Sequence, residues 1–130
     1  MCGALVEVQD QESGLWYQVL DQAGRKGNYL EATGSCMFVY AMAKALRLRY
    51  LEPSFKAAML RGYEGILKHL VTEDEQGVHL HKICHGAGLS KDRNGSYDYY
   101  ISEAVVSDVP MGVAPLLLAS LEVERYAAGQ

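Results

Sequence analysis

Two consecutive segments constrain the fold of this chain more than anything else in it. The first, Ser35–Tyr50, is apolar around its whole circumference for half its length: Cys36, Met37, Phe38, Val39, Tyr40, Ala41, Met42 and Ala43 follow one another without interruption. The second, Ser54–Val71, carries one apolar stripe of Phe55, Ala58, Met59, Gly62, Tyr63, Ile66, Leu67 and Leu70 at helical spacing. A helix that is apolar all round is buried on every side, and a striped helix on one. Side by side they predict an inner and an outer row of a two-layer helical array. Thr33 and Ser35 offer caps for the inner helix, and Pro53 forces a break before the outer one.

The flanking segments extend this pattern. Ala4–Gln9 reads as the last turns of a helix, with Ala4, Leu5 and Val8 on one face and Asp10–Gly14 as its stop. A loop over Gly14–Gly34 contains a short extended stretch around Trp16, Tyr17, Val19 and Leu20 and a Gly-rich turn at Gly24–Asn28. Val78–Ile83 alternates with period two and predicts a short strand. Gly86–Gly95 is a loop, and Tyr97–Ser102 is expected to add a second short extended piece, so that a β-hairpin interrupts the helices. A last helix is predicted over Met111–Tyr126, where Val113, Leu116, Leu117, Leu118 and Leu121 again surround the axis.

The expected class is all-α with a short β-hairpin insertion, as one domain over residues 1–130. With 49% hydrophobic and 22% charged residues, a packed core is expected rather than disorder. A net charge of −4 argues against a nucleic-acid or anionic-membrane partner. The basic group Lys44, Arg47, Arg49, Lys56 and Arg61 reads as a solvated end of the helical hairpin. No apolar run is long enough to span a bilayer and no signal peptide leads the chain. Three cysteines, an odd count without a compact disulfide pattern, complete the expectation of a cytoplasmic protein. Cys36 reads as a small buried hydrophobe. Two helices that want burial on every side, with one clear outer helix and a stub to cover them, predict either self-association or the C-terminal part of a longer domain.

Candidate site residues lie in the loops. Trp16 is the only tryptophan; in a Gly-flanked loop it suits stacking on a sugar ring, or equally a loop anchor buried against the helices. Among Tyr97, Tyr99 and Tyr100, period two places Tyr97 and Tyr99 on one side and Tyr100 on the other, with at least one of the three expected in the core. Glu31 precedes the inner helix, where a carboxylate serves either as a cap or as a partner of sugar hydroxyls. His79 and His81 share a strand face beside Cys84 and His85, a tempting metal set, but a fourth ligand at closed-site spacing is missing and surface histidines are the simpler reading. Neither Ser–His–Asp nor Cys–His chemistry has local support. Gly86-Ala87-Gly88 lacks the following helix that a phosphate loop needs.

An ordered set of short runs resembles glycoside hydrolase family 105, with family 88 as a more distant relative. The runs are Asp10–Asp21 with its Gly14-Leu15-Trp16-Tyr17-Gln18 centre, Asn28-Tyr29-Leu30-Glu31-Ala32-Thr33-Gly34-Ser35, and Tyr63-Glu64-Gly65-Ile66-Leu67. They continue with Gly86-Ala87-Gly88-Leu89, Asn94-Gly95-Ser96-Tyr97-Asp98-Tyr99-Tyr100 and Gly112-Val113-Ala114-Pro115-Leu116-Leu117-Leu118-Ala119. The resemblance covers nearly the whole chain but only about the last third of such an enzyme. It implies a partial (α/α)6 toroid, and an unsaturated rhamnogalacturonyl or glucuronyl hydrolase that hydrates the C4–C5 double bond of lyase-generated oligosaccharides without metal or organic cofactor. It implies substrate-binding roles for Trp16 in the cleft wall, Tyr100 at the cleft mouth and Glu31 near an inner-helix N-terminus. The family's acid/base aspartate has no matching position, so no catalytic residue is assigned and the isolated chain is expected to be inactive. A non-catalytic helical module that binds sugar or self-assembles is the alternative.

Overall fold

The computed structural model describes residues 1–129. In chain order the elements are α1 (Cys2–Glu7), α2 (Ala32–Arg47), a 3-10 turn (Pro53–Phe55), α3 (Lys56–His69), β1 (Val71–Asp74), β2 (Gly77–Leu80), β3 (Ile83–Cys84), α4 (Tyr97–Ser102), β4 (Val105–Val106) and α5 (Pro110–Ala127). The protein is helix-rich, with two small antiparallel sheets. β1 pairs with β2, Val71 opposite Leu80, and β3 pairs with β4, Ile83 opposite Val106. Among the described residues no helix is long and apolar enough to cross a membrane.

The cap of α2 is Glu31 rather than Thr33 or Ser35, so the helix starts three residues before the expected Ser35. The Glu31 carboxylate accepts from the backbone N–H groups of Thr33 and Gly34, two of the donors that a helix start leaves without intrahelical partners. α2 ends where Arg49 turns into the left-handed region at φ 60°. The short turn to Pro53 then sends α3 back antiparallel.

Both helices bury one stripe. α3 does so as expected; the all-round burial expected of α2 is not met, since Met37 is 54% exposed and Phe38, Tyr40 and Ala41 are only partly covered by the neighbours present. α2 buries Cys36, Val39, Met42, Ala43 and Leu46, whereas α3 buries Ala58, Met59, Gly62, Gly65 and Ile66 along one face. Glycine sets how closely α3 approaches. A Cβ at Gly62 would lie 2.8 Å from Val39 and 3.0 Å from the Trp16 ring, and one at Gly65 would lie 2.1 Å from the Ser13 carbonyl oxygen. Only a residue without a side chain lets the backbone come this near.

α5 runs parallel to α2. At one end the Lys82 carbonyl accepts from Ala32 N–H at the start of α2, while neighbouring Ile83 lies over Gly112 at the start of α5. At the other end Arg47, the last residue of α2, pairs with Glu122 near the end of α5, Nε to Oε2 at 2.8 Å and Nη2 to Oε1 at 3.2 Å. Glu122 is buried, and the Arg47 guanidinium holds its carboxyl below the usual range. Arg47 therefore joins two helices, which the expectation of a merely solvated basic end does not describe.

Two local expectations need correction. Tyr97–Ser102 is helical, not extended: Ser96 Oγ accepts from Tyr99 N–H at 3.2 Å and Asp98 occupies the first turn, so the cap outweighs the β preference of the tyrosines. Val78–Ile83 is not one strand either. His81 N–H donates to the Leu70 carbonyl, Lys82 adopts φ 58°, and the chain restarts as β3.

Candidate functional site

The long connections, residues 8–31 and 70–109, gather at the end where α2 and α5 begin; the opposite end of the α2–α3 hairpin carries only the turn at 48–52. At this loop-bearing end lies a hollow of about 180 Å³ whose lining includes Trp16, Tyr17, Gln18, Glu31, Gly34 and Phe38. The loop reaches it through main-chain bonds. Tyr17 bridges to Leu30, Gln18 N–H donates to the Tyr29 carbonyl, and Glu31 N–H donates to the Trp16 carbonyl.

Trp16 is 1% exposed. Its indole N–H donates to the Leu5 carbonyl at 2.7 Å, and its own backbone N–H donates to Ser35 Oγ at 3.2 Å. Phe38 meets it edge to face, centroids 5.4 Å apart at 76°. The ring is thereby packed between α1, α2 and α3 as a loop anchor, one of the two roles open to it, while the residue borders the hollow.

Glu31 lies in the same wall and is buried. Oε1 accepts from Thr33 N–H and from Cys84 N–H, both at 3.0 Å, and Oε2 accepts from Gly34 N–H. Three donors leave one acceptor position, on Oε2, for anything else. The carboxylate therefore ties the start of α2 to β3 and faces the hollow as an acceptor.

Tyr100 lies elsewhere. It sits on α4 against Tyr99, ring centroids 5.3 Å apart, and is not part of the hollow's lining. α4 is moored to the Gly-rich turn: the Tyr97 hydroxyl is 3.1 Å from the carbonyls of Arg25 and Lys26, and the Arg25 guanidinium stacks 3.7 Å above the Tyr97 ring. Of the three residues expected to bind substrate, the structure brings Trp16 and Glu31 together and leaves Tyr100 apart.

Sequence reading missed Gln18, Phe38, Tyr29 and Cys84. Gln18 Nε2 donates to Cys84 Sγ at 3.2 Å. The Tyr29 hydroxyl is buried without a hydrogen-bond partner, and burial first, then Cys84 and Glu31, pushes its pKa upward. Burial likewise pushes the Cys36 thiol up to about 12, with the Glu31 charge second, which keeps it protonated and inert. Signals for two of the four were present. Gln18 stands two residues from Trp16 in an extended stretch, and Phe38 stands four from Gly34 on a helix. Cys84 needs a contact over 53 residues that no local period announces.

His79 lies on β2 and His81 just past its end, and their rings stack with centroids 6.5 Å apart. Among the described residues no three His, Cys, Asp or Glu side chains converge as a metal site would require. All three cysteines are free thiols.

Comparison with known proteins places this geometry. A family model described as Glycosyl Hydrolase Family 88 matches residues 1–127. The 24.9 kDa protein of the picA locus of Rhizobium radiobacter is 45% identical over 120 residues, covering 85% of this chain and 52% of that protein. A family 105 glycoside hydrolase from C. acetobutylicum superposes with a TM-score of 0.91 at 51% identity, over 95% of this chain and 35% of that one. A possible family 105 member from Klebsiella pneumoniae gives a TM-score of 0.77 at 31% identity, over 96% of this chain and 30% of that one. The chain spans about half the length of the curated relative and about a third of the solved structures.

Proposed function

The chain belongs to glycosyl hydrolase family 88, and on that premise we propose that it is the C-terminal part of an unsaturated uronyl hydrolase of the rhamnogalacturonyl type. The observation that carries this reading is the common end: α2 and α5 run parallel, and the first turns of α2 border a hollow whose lining includes Trp16, Phe38 and Glu31. Parallel inner helices with an antiparallel outer one fit a segment of an (α/α)6 toroid. An aromatic wall with a few polar groups fits a sugar ring.

In this reading the substrate is an oligosaccharide whose non-reducing uronate carries the C4–C5 double bond left by a polysaccharide lyase. A proton adds at C4 and water oxygen at C5, and the resulting hemiketal opens to release the neighbouring sugar. Trp16 and Glu31 belong to the wall of the cleft and Tyr100 to its mouth. Glu31, an acceptor for three N–H groups, is not the proton source, and the isolated chain is inactive for want of one. The setting is cytoplasmic, in keeping with three free thiols.

The test uses the ultraviolet absorbance of the unsaturated uronate. The chain alone is expected to leave it at the buffer rate, and a hybrid that joins the chain to the missing two-thirds of the C. acetobutylicum relative is expected to consume it. Consumption by the chain alone would overturn the predicted inactivity. A folded hybrid that leaves the double bond untouched, beside an active parent enzyme, would overturn the assignment.

One observation favours a second reading, a helical module that binds sugar or self-assembles without catalysis. Met111, Leu117, Leu118 and Leu121 of α5 are about half exposed. Sedimentation separates the two, because a stable monomer at high concentration removes the motive for self-assembly.

A further inference from the structure

Two stacked histidines, His79 on β2 and His81 just past its end, each reach in opposite directions, to β1 on one side and to the turn before α5 on the other. His79 Nε2 lies 3.2 Å from Asp74 Oδ1 and its Nδ1 lies 2.8 Å from Asp108 Oδ2. His81 Nε2 lies 2.7 Å from Thr72 Oγ1 and its Nδ1 lies 3.0 Å from Ser107 Oγ. Asp108 is itself set for this contact. At φ 57° it is held in the left-handed region, its backbone N–H donates to the Leu80 carbonyl, and its Oδ1 accepts from Leu80 N–H at 2.7 Å.

The two rungs differ in what they demand of the ring. Hydroxyls both donate and accept, so His81 keeps both contacts in its neutral form whichever nitrogen carries the proton. Carboxylates only accept. His79 satisfies Asp74 and Asp108 together only as an imidazolium with N–H on both nitrogens; the neutral ring keeps one and presents a lone pair to the other. We propose that this pair is a proton-dependent clasp, closed while His79 is charged, which fastens the β1–β2 hairpin to the turn before α5. The clasp reaches the hollow through the chain itself. Lys82 follows directly, with its carbonyl on Ala32 N–H, and Cys84 then donates to Glu31.

The titratable groups facing His79 are Asp74 from β1, Asp108 from the turn and His81 from just past the end of β2. Hydrogen bonds from Asp108 first and Asp74 second raise the His79 pKa above the ordinary histidine value. Asp74 and Asp108 are lowered in return, Asp108 chiefly by the His79 bond and Asp74 by the Gln76 N–H and then His79. The contribution of His79 to holding the hairpin is therefore complete below the ordinary histidine pKa and is lost as pH rises through the raised one. That of the aspartates is present above the ordinary carboxylate range and is lost as pH falls through their lowered values. The clasp is closed between those limits. It does not depend on what the hollow binds.

Nitrogen-edited NMR of the 130-residue chain, titrated from about pH 5 to 9, follows the His79 ring nitrogens directly. The expected midpoint lies above the ordinary histidine value of about 6.5 and falls in Asp108→Asn, whose remaining carbonyl oxygen still accepts from Leu80. Amide exchange across residues 71–84, corrected for the intrinsic rate, is expected to quicken by on the order of threefold or more through the same midpoint while α2 and α3 stay protected. His79→Gln is expected to abolish that pH dependence. A midpoint at or below the ordinary value, hairpin protection that ignores the titration, or loss of protection in α2 and α3 at the same midpoint would each overturn the clasp.

Discussion

α2 and α5 are spelled in much the same way, as long apolar runs with few polar interruptions, yet they come to rest in different surroundings. α2 is covered by α3 on one side, by α5 on another and by the Trp16 loop near its start. Of its large apolar side chains, only Met37 is more than a third exposed. α5 packs on α2 and beneath Ile83, and it buries Gly112, Ala119, Glu122 and Val123. Leu116 and Tyr126 pack against the core in part, while Met111, Leu117, Leu118 and Leu121 face outward, Leu117 at 59% exposure and Leu121 at 50%. The starts differ as well: α2 is capped by a carboxylate with three N–H donors, whereas α5 opens at Pro110 with no side-chain cap. Composition states how much burial a helix asks for; the neighbours present decide how much it receives.

The sharpest way to break this comparison is to remove the same kind of atom from each helix. Met42 is fully buried in the middle of α2. Met42→Ala is expected to cost about 2–5 kcal/mol in urea unfolding, the transfer of the lost atoms plus a cavity that a close-packed helix cannot collapse. A value near zero would mean that α2 is no better enclosed than α5. Gly65→Ala tests the cover itself. The new methyl group overlaps the Ser13 backbone oxygen, which unlike a side-chain tip cannot swing aside, so α3 or the loop must move. A loss of about 1–3 kcal/mol is expected, with a change in Trp16 fluorescence because α3 also rests on that ring through Gly62.

A smaller effect separates the two helix starts. Glu31→Ala removes the acceptor of Thr33, Gly34 and Cys84 N–H groups. About 1–2 kcal/mol is expected to be lost, in the range of other cap removals, with faster amide exchange at the start of α2 and at Cys84 and none at the start of α5. If both starts loosen together, the cap is not what distinguishes them.

These residues also mark how far the fold and the site were legible beforehand. The all-round burial expected of residues 35–50 did not follow, because Met37 is exposed and Phe38, Tyr40 and Ala41 find only partial cover. The two helices over residues 35–50 and 54–71, and the single buried stripe of the second, did follow from periodicity. The last helix was found within one residue at each end for the same reason. The strand-rich segment was read less well. The tyrosines of α4 favour strands by type, and only the Ser96 cap and the mooring of Tyr97 to residues 25–26 make them helical. In the site, the capping role open to Glu31 could be read from its position before an apolar helix, and the capping bonds are there. Its third donor, Cys84, comes from 53 residues away and no local pattern contains it. The separation of Tyr100 from Trp16 is of the same kind: each segment was recognisable, while their relative placement rests on long-range contacts.

The smallest expected effect falls on the outward face of α5, and it discriminates most finely. Leu117→Gln and Leu121→Gln exchange half-exposed apolar groups for polar ones of similar size. Neither side chain is in the buried core, so the stability of the monomer is expected to change by no more than about 0.5 kcal/mol for each. The same pair changes the surface considerably, since it splits an apolar face on which Met111 and Leu118 are also about half exposed. If that face mates with other helices, the double variant remains as stable as the parent and sediments as a smaller species, or fails to restore a hybrid enzyme that the parent chain restores. Unchanged sedimentation and unchanged complementation would make the exposed leucines ordinary surface residues. A stability loss approaching that of Met42→Ala would instead place them in the core, and the contrast between α2 and α5 would be lost.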